Sequence, residues 1–119
     1  MTNEMTIAVD LKRNGLVEVE IVAGRISKVK FYADTGGLGV YNREKKDDIN
    51  ICLKKIFDED IEAFKNILRN IEEDAEFFSY YKSLLDAEIE SKQQKLLDSI
   101  KGFTTMLAEM QAEIDKYRL

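Results

Sequence analysis

A chain of 119 residues with 45% apolar and 34% charged side chains has room for one domain, or one small domain with a helical extension, and is not disordered by composition. It holds no histidine, tryptophan or proline and one cysteine, Cys52, which excludes an intrachain disulfide, a zinc site of thiolates and any mechanism built on an imidazole base. The net charge of −5 is uneven: residues 1–57 sum to +2, residues 58–90 to −8 and residues 91–119 to +1.

From Met5 to Phe31 the apolar period is two, the mark of strands with one buried and one wet face. Ile7, Val9 and Leu11 form the first apolar set, Val17, Val19 and Ile21 the second, and Val29 and Phe31 the third. Arg13-Asn14-Gly15 suits a three-residue hairpin loop, which pairs Lys12 with Leu16, Leu11 with Val17 and Val9 with Val19. Ala23-Gly24-Arg25 suits a second loop, pairing Val19 with Val29 and Val17 with Phe31. The same register sets Glu20 across from Lys28 and Glu18 across from Lys30 on the solvent face. Asp34 to Gly39 reads as a loop, and Val40-Tyr41 as a short fourth strand. Gly36, Gly37 and Gly39, with Arg43, Lys45 and Lys46 nearby, are a candidate for cradling a phosphate. They match neither glycine-rich nucleotide fingerprint, and Asp47 and Asp48 would repel an anion.

After Asn42 the period changes to 3.6. Asp47 or Asp48 is the expected cap of a helix with inner face Ile49, Cys52, Leu53 and Ile56, and Cys52 reads there as a small buried hydrophobe. Asp58 to Asp60 should interrupt it. Ile61, Phe64, Ile67, Leu68 and Ile71 continue the apolar face, and Asn70 with Glu73 resembles a capping pair for the next helix.

Leu96, Ile100, Phe103, Leu107, Met110, Ile114 and Tyr117 recur at alternating spacings of four and three, with Ile89 in phase before them. That is a heptad stripe. Gly102 falls on an outward position, so the spacing predicts one uninterrupted coiled-coil helix whose apolar edge drives self-association. Run from Asn70 to Leu119, such a helix would be on the order of 70 Å long.

The fold expected is α+β: a β-meander of three or four antiparallel strands over residues 1–45, then a helical region over 46–119 with an oligomerising coiled coil. The oligomer-interface candidates are Ile89, Leu96, Ile100, Phe103, Leu107, Met110, Ile114 and Tyr117. The partner-binding candidates are the acidic groups Asp58, Glu59, Asp60, Glu72, Glu73 and Asp74 with the aromatic groups Phe77, Tyr80 and Tyr81. No catalytic, metal or cofactor residue is nominated.

The run Gly15 to Ile21 followed by Gly24 to Phe31 resembles the hairpin of TSCPD-type domains, and something similar opens some FMN-binding domains. The first family's signature Cys and Pro and the second's Ser-Gly-Ala-Thr segment are missing, so the resemblance implies a hairpin and transfers no residue.

Met1 to Val9 carries no signal-peptide pattern, and no apolar run approaches the ~18 residues of a membrane span. The expectation is a cytoplasmic, non-catalytic protein of bacterial or phage origin. It would assemble with itself and bind, or inhibit, another protein through an acidic surface, without touching nucleic acid directly. A small-ligand binder with nucleotide-like sites between subunits and a purely structural assembly or adaptor protein are the alternatives.

Overall fold

A computed structural model of the chain describes residues 3–13, 15–98 and 104–119, the side chains of 104–106 excepted. Four antiparallel strands come first: β1 Glu4–Leu11, β2 Gly15–Val22, β3 Arg25–Ala33 and β4 Leu38–Asn42, in the order β1-β2-β3-β4. Helices α1 Lys46–Glu59, α2 Ile61–Asn70, α3 Phe78–Asp98 and α4 Thr104–Asp115 follow, α3 being the longest. The class is α+β.

Strict alternation does what it should in the sheet. Val9, Leu11, Val17, Val19, Ile21, Ile26 and Val29 are buried on one face, while Glu18, Glu20, Lys28 and Lys30 lie on the other. The β2–β3 register is the one read from the sequence: Val17 faces Phe31, Glu18 faces Lys30, Val19 faces Val29 and Glu20 faces Lys28. The turn is tighter than expected, because Val22 pairs with Arg25 across a two-residue loop. Ala23 and Gly24 both adopt positive φ, +53° and +76°, as a type I′ turn requires. A shift between Glu20 and Ile21 takes up the extra residue and brings Ile26 inward. In the first hairpin the pairing differs from expectation by two residues: Val9 faces Val17, Ile7 faces Val19 and Leu11 faces Gly15. A slip of two leaves every side chain on its own face, so the apolar pattern cannot tell these registers apart.

The chain divides into two compact units, Met1–Phe78 and Ser79–Leu119. In the first, α1 lies over the inner face of the sheet, reaching β1, β3 and β4, and packs on α2. Ile49, Cys52, Leu53, Ile56, Ile61, Phe64, Ile67, Leu68 and Ile71 are all buried, as the helical spacing requires. Phe57 meets Phe64 edge-on, ring centres 5.1 Å apart. The break falls between Glu59 and Ile61, and Asp60 caps α2 by accepting a hydrogen bond from the Ala63 N–H at 3.1 Å. Two expected caps are not used. α1 starts behind Lys45 with no side-chain cap, and Asn70 ends α2 rather than opening α3.

The second unit holds the main correction. Leu96 to Tyr117 is not one uninterrupted helix. α3 ends at Asp98, α4 starts at Thr104, and the Lys92 ammonium lies 5.2 Å from the centre of the Tyr117 ring. A continuous helix would hold those residues roughly 37 Å apart. The chain therefore reverses, and the C-terminal residues Tyr117, Arg118 and Leu119 border a recess with Lys82, Leu85, Asp86 and Ile89. Gly102 lies outside the described residues, as do Ile100 and Phe103.

Candidate interaction surface

A connected polar group surrounds Asp74. The turns from Ile71 to Phe77 carry this carboxylate into the protein, where it is fully buried. There it accepts hydrogen bonds from the Ile26 backbone N–H at 2.8 Å and from both Nη atoms of Arg43 at 2.8 and 3.0 Å. Arg43 Nη1 also donates to the Ile26 carbonyl, and its guanidinium lies over the Phe77 ring, 5.1 Å from the centroid. Burial works against the Asp74 charge. The Arg43 hydrogen bonds, the Ile26 N–H and the Arg43 and Arg25 charges outweigh it, and the pKa ends below its ordinary value. Glu76, on the surface, holds Lys46 at 3.2 Å and Arg43 at 3.5 Å.

This network includes several residues singled out from the sequence. Asp74 and Phe77 are buried groups that join the 71–77 segment to Ile26 and Arg43. Tyr81 is likewise fully buried, with its ring 5.6 Å from that of Tyr80 at 65°, whereas Tyr80 is 51% exposed. Arg43 and Lys46 are aimed at carboxylates rather than at the glycine loop. The pairing missed by sequence reasoning is Arg43 with Asp74, 31 residues apart; no local pattern announces it.

The other acidic candidates stay on the surface and fall into two groups. Asp58, Glu59 and Asp60, joined by Glu62, cluster at the α1–α2 corner. Asp58 takes an ion pair from Lys54 at 2.7 Å, Glu62 one from Lys65 at 3.3 Å, and Asp60 serves as the helix cap. An exposed i,i+4 pair such as Lys54–Asp58 stabilises by only about 0.3–0.5 kcal/mol. Glu72 and Glu73 sit at the other end of α2, edging a recess with Asn3, Ala23, Gly24, Arg69 and Asn70. The ten residues of α2 separate the two groups by roughly 15 Å.

Of the apolar stripe, Ile114 is fully buried, and Ile89, Leu96, Leu107, Met110 and Tyr117 are half-buried. Two arms of a reversed chain each need an apolar seam, so a single stripe in the sequence becomes two faces of one hairpin. Leu97, 60% exposed, lies off the seam. A second recess in this unit is lined by Lys92, Lys95, Glu109, Met110 and Glu113, two cations against two carboxylates.

No protein-family model, no curated protein and no solved structure matches this chain. The site must therefore be read from its own chemistry. Among the described residues no cluster of three or more His, Cys, Asp or Glu side chains is placed to hold a metal ion. Among them, too, no helix is long and apolar enough to cross a membrane.

Proposed function

We propose that this is a non-catalytic binding protein of the bacterial or phage cytoplasm, acting as a homo-oligomer that occupies a basic groove on another protein and inhibits it. The observation that carries the reading is the display of carboxylates flanking α2: Asp58 and Glu59 at the end of α1 with Glu62 at one end, Glu72 and Glu73 just past the other, all exposed. Their separation of roughly 15 Å is the rise of about four base-pair steps at ~3.4 Å each, a span over which a nucleic-acid-binding groove meets several phosphates. The outer face of the sheet, by contrast, alternates Glu18 and Glu20 with Lys30 and Lys28 and has no net sign.

The test is capture of bacterial lysate proteins on the immobilised chain, identified by mass spectrometry, beside a variant with Asp58→Asn, Glu59→Gln, Glu62→Gln, Glu72→Gln and Glu73→Gln. Asp60 and Asp74 stay unaltered because they cap a helix and fill the interior. The expected result is a basic, nucleic-acid-binding protein retained at low salt, released by added salt, and lost at least tenfold with the variant. Equal retention by both chains would end the proposal.

A further inference from the structure

The β1 edge of the sheet is open. Among the described residues, strand β1 pairs only with β2, and Glu4, Met5, Thr6, Ala8 and Asp10 are exposed. The phase of the ladder shows which backbone groups face outward. The Asn3 carbonyl accepts from the Ala23 N–H at 2.8 Å, in line with the register that pairs Met5 with Ile21, Ile7 with Val19 and Val9 with Val17. Hydrogen-bonded pairs alternate in an antiparallel ladder, so the odd residues of β1 bond to β2. The N–H and C=O groups of Glu4, Thr6, Ala8 and Asp10 then point away from the sheet.

Folded proteins blunt such edges with short strands, lysine, proline, bulges or inward charges. The opposite edge, β4, is five residues long. Strand β1 runs for eight residues in unbroken register without lysine, proline or bulge, and its inward positions Met5, Ile7, Val9 and Leu11 carry no charge. Met5 is 40% exposed although it lies on the apolar side.

We propose that β1 is where two copies of this chain meet, pairing antiparallel about a twofold axis through Ala8 to make one continuous eight-stranded sheet from two four-stranded ones. This deepens the self-association reading above by naming its surface. Side-chain parity admits only axes that pass through a residue, because any other would set an inward group opposite an outward one. The axis through Ala8 sets Glu4 of each copy opposite Lys12, the first turn residue after β1, of the other, and Thr6 opposite Asp10, Met5 opposite Leu11 and Ile7 opposite Val9. It yields two pairs of opposite charge and a cover for Met5. An axis through Ile7 would set Glu4 opposite Asp10 twice, and one through Val9 would leave Glu4 and Met5 without a strand partner. The outward backbone groups supply on the order of six to ten hydrogen bonds in the favoured register.

The test is analytical ultracentrifugation of the full chain with two single variants. The unaltered chain should sediment as a dimer at micromolar concentration. Ala8→Pro removes the outward N–H at the axis, which an edge strand tolerates, and should halve the sedimenting mass at unchanged circular dichroism. Independently, Ala8→Cys should oxidise to a covalent dimer, since the two positions meet across the axis, while Thr6→Cys should not, its two copies being roughly 14 Å apart along the strands. A chain that stays monomeric at 100-fold higher concentration overturns both this inference and the self-association reading. An oligomer that ignores Ala8→Pro and gives no Ala8→Cys cross-link overturns the β1 interface alone.

Discussion

Replacing Asp74 with alanine should be among the most damaging single changes in the molecule. The substitution removes the acceptor of three hydrogen bonds, one from the Ile26 backbone and two from Arg43. Breaking a buried ion pair from one side costs about 3–5 kcal/mol. Here the orphaned partner is partly wet, because the Arg43 side chain is 26% exposed and keeps Glu76 at 3.5 Å. The lower end, about 3 kcal/mol, is therefore expected for Asp74→Ala. Arg43→Ala should cost more, about 4 kcal/mol, since it strands a carboxylate with no exposure at all. For a chain of this size the first change lowers Tm by on the order of 10 °C. Urea denaturation followed by circular dichroism reads both, and an unfolding free energy for Asp74→Ala within about 1 kcal/mol of the unaltered chain would refute the assignment of the clasp.

Because the folded pKa of Asp74 lies below its ordinary 3.8, its contribution is fully present above that value and is lost as pH falls through the folded one. Asp74→Asn should flatten the fall of stability below about pH 4, as measured by urea midpoints in an acid series. Cys52 is 3% exposed, and burial pushes its thiol up to about 11. It should ignore a thiol-specific disulfide reagent at pH 8 in the native state and react once the chain is unfolded by urea. Gly15→Ala would bring a methyl group to 1.9 Å from the Tyr32 carbonyl oxygen at a φ of +115°, so it should cost about 3 kcal/mol or prevent folding, judged by thermal melts. Ile114→Ala should cost about 2–4 kcal/mol in the same melts, since Ile114 is fully buried; an effect near zero would mean the C-terminal seam is loose.

The sheet was legible because alternation and turn chemistry agreed. Val19 opposite Val29 and Glu20 opposite Lys28 are the pairs read from the period of two, and they hold because the bulge between Glu20 and Ile21 offsets the tighter turn at Ala23 and Gly24. The register of the first hairpin was not, since a slip of two residues conserves every face. The inner faces of α1 and α2 were legible down to Cys52, where a small side chain in an apolar row needs no further explanation. The reversal after Asp98 was hidden by a coincidence of phase. Leu96 and Leu107 sit on opposite arms of a hairpin, yet their spacing fits one seven-residue repeat, so continuity of pattern does not establish continuity of helix. The candidate surface was half visible. Runs such as Asp58 to Asp60 show up in composition, but whether a carboxylate in a run caps a helix, pairs with lysine or turns inward depends on distant residues. Asp74, buried on Arg43 and Ile26, belonged with Glu72 and Glu73 by sequence and with β3 by geometry.

That geometry has a consequence for how the chain comes off the ribosome. All four strands and both helices of the first unit emerge before position 74 does, yet the Ile26 amide lacks its carboxylate acceptor, and the Arg43 guanidinium has only the Ile26 carbonyl, until that carboxylate arrives. A polypeptide cut at Asn70, where the helical pattern stops, would carry the whole sheet and remain unfastened. One extended by eight residues to Phe78 would include both the clasp and the aromatic ring beneath it, so those few residues are the closing step of the N-terminal fold.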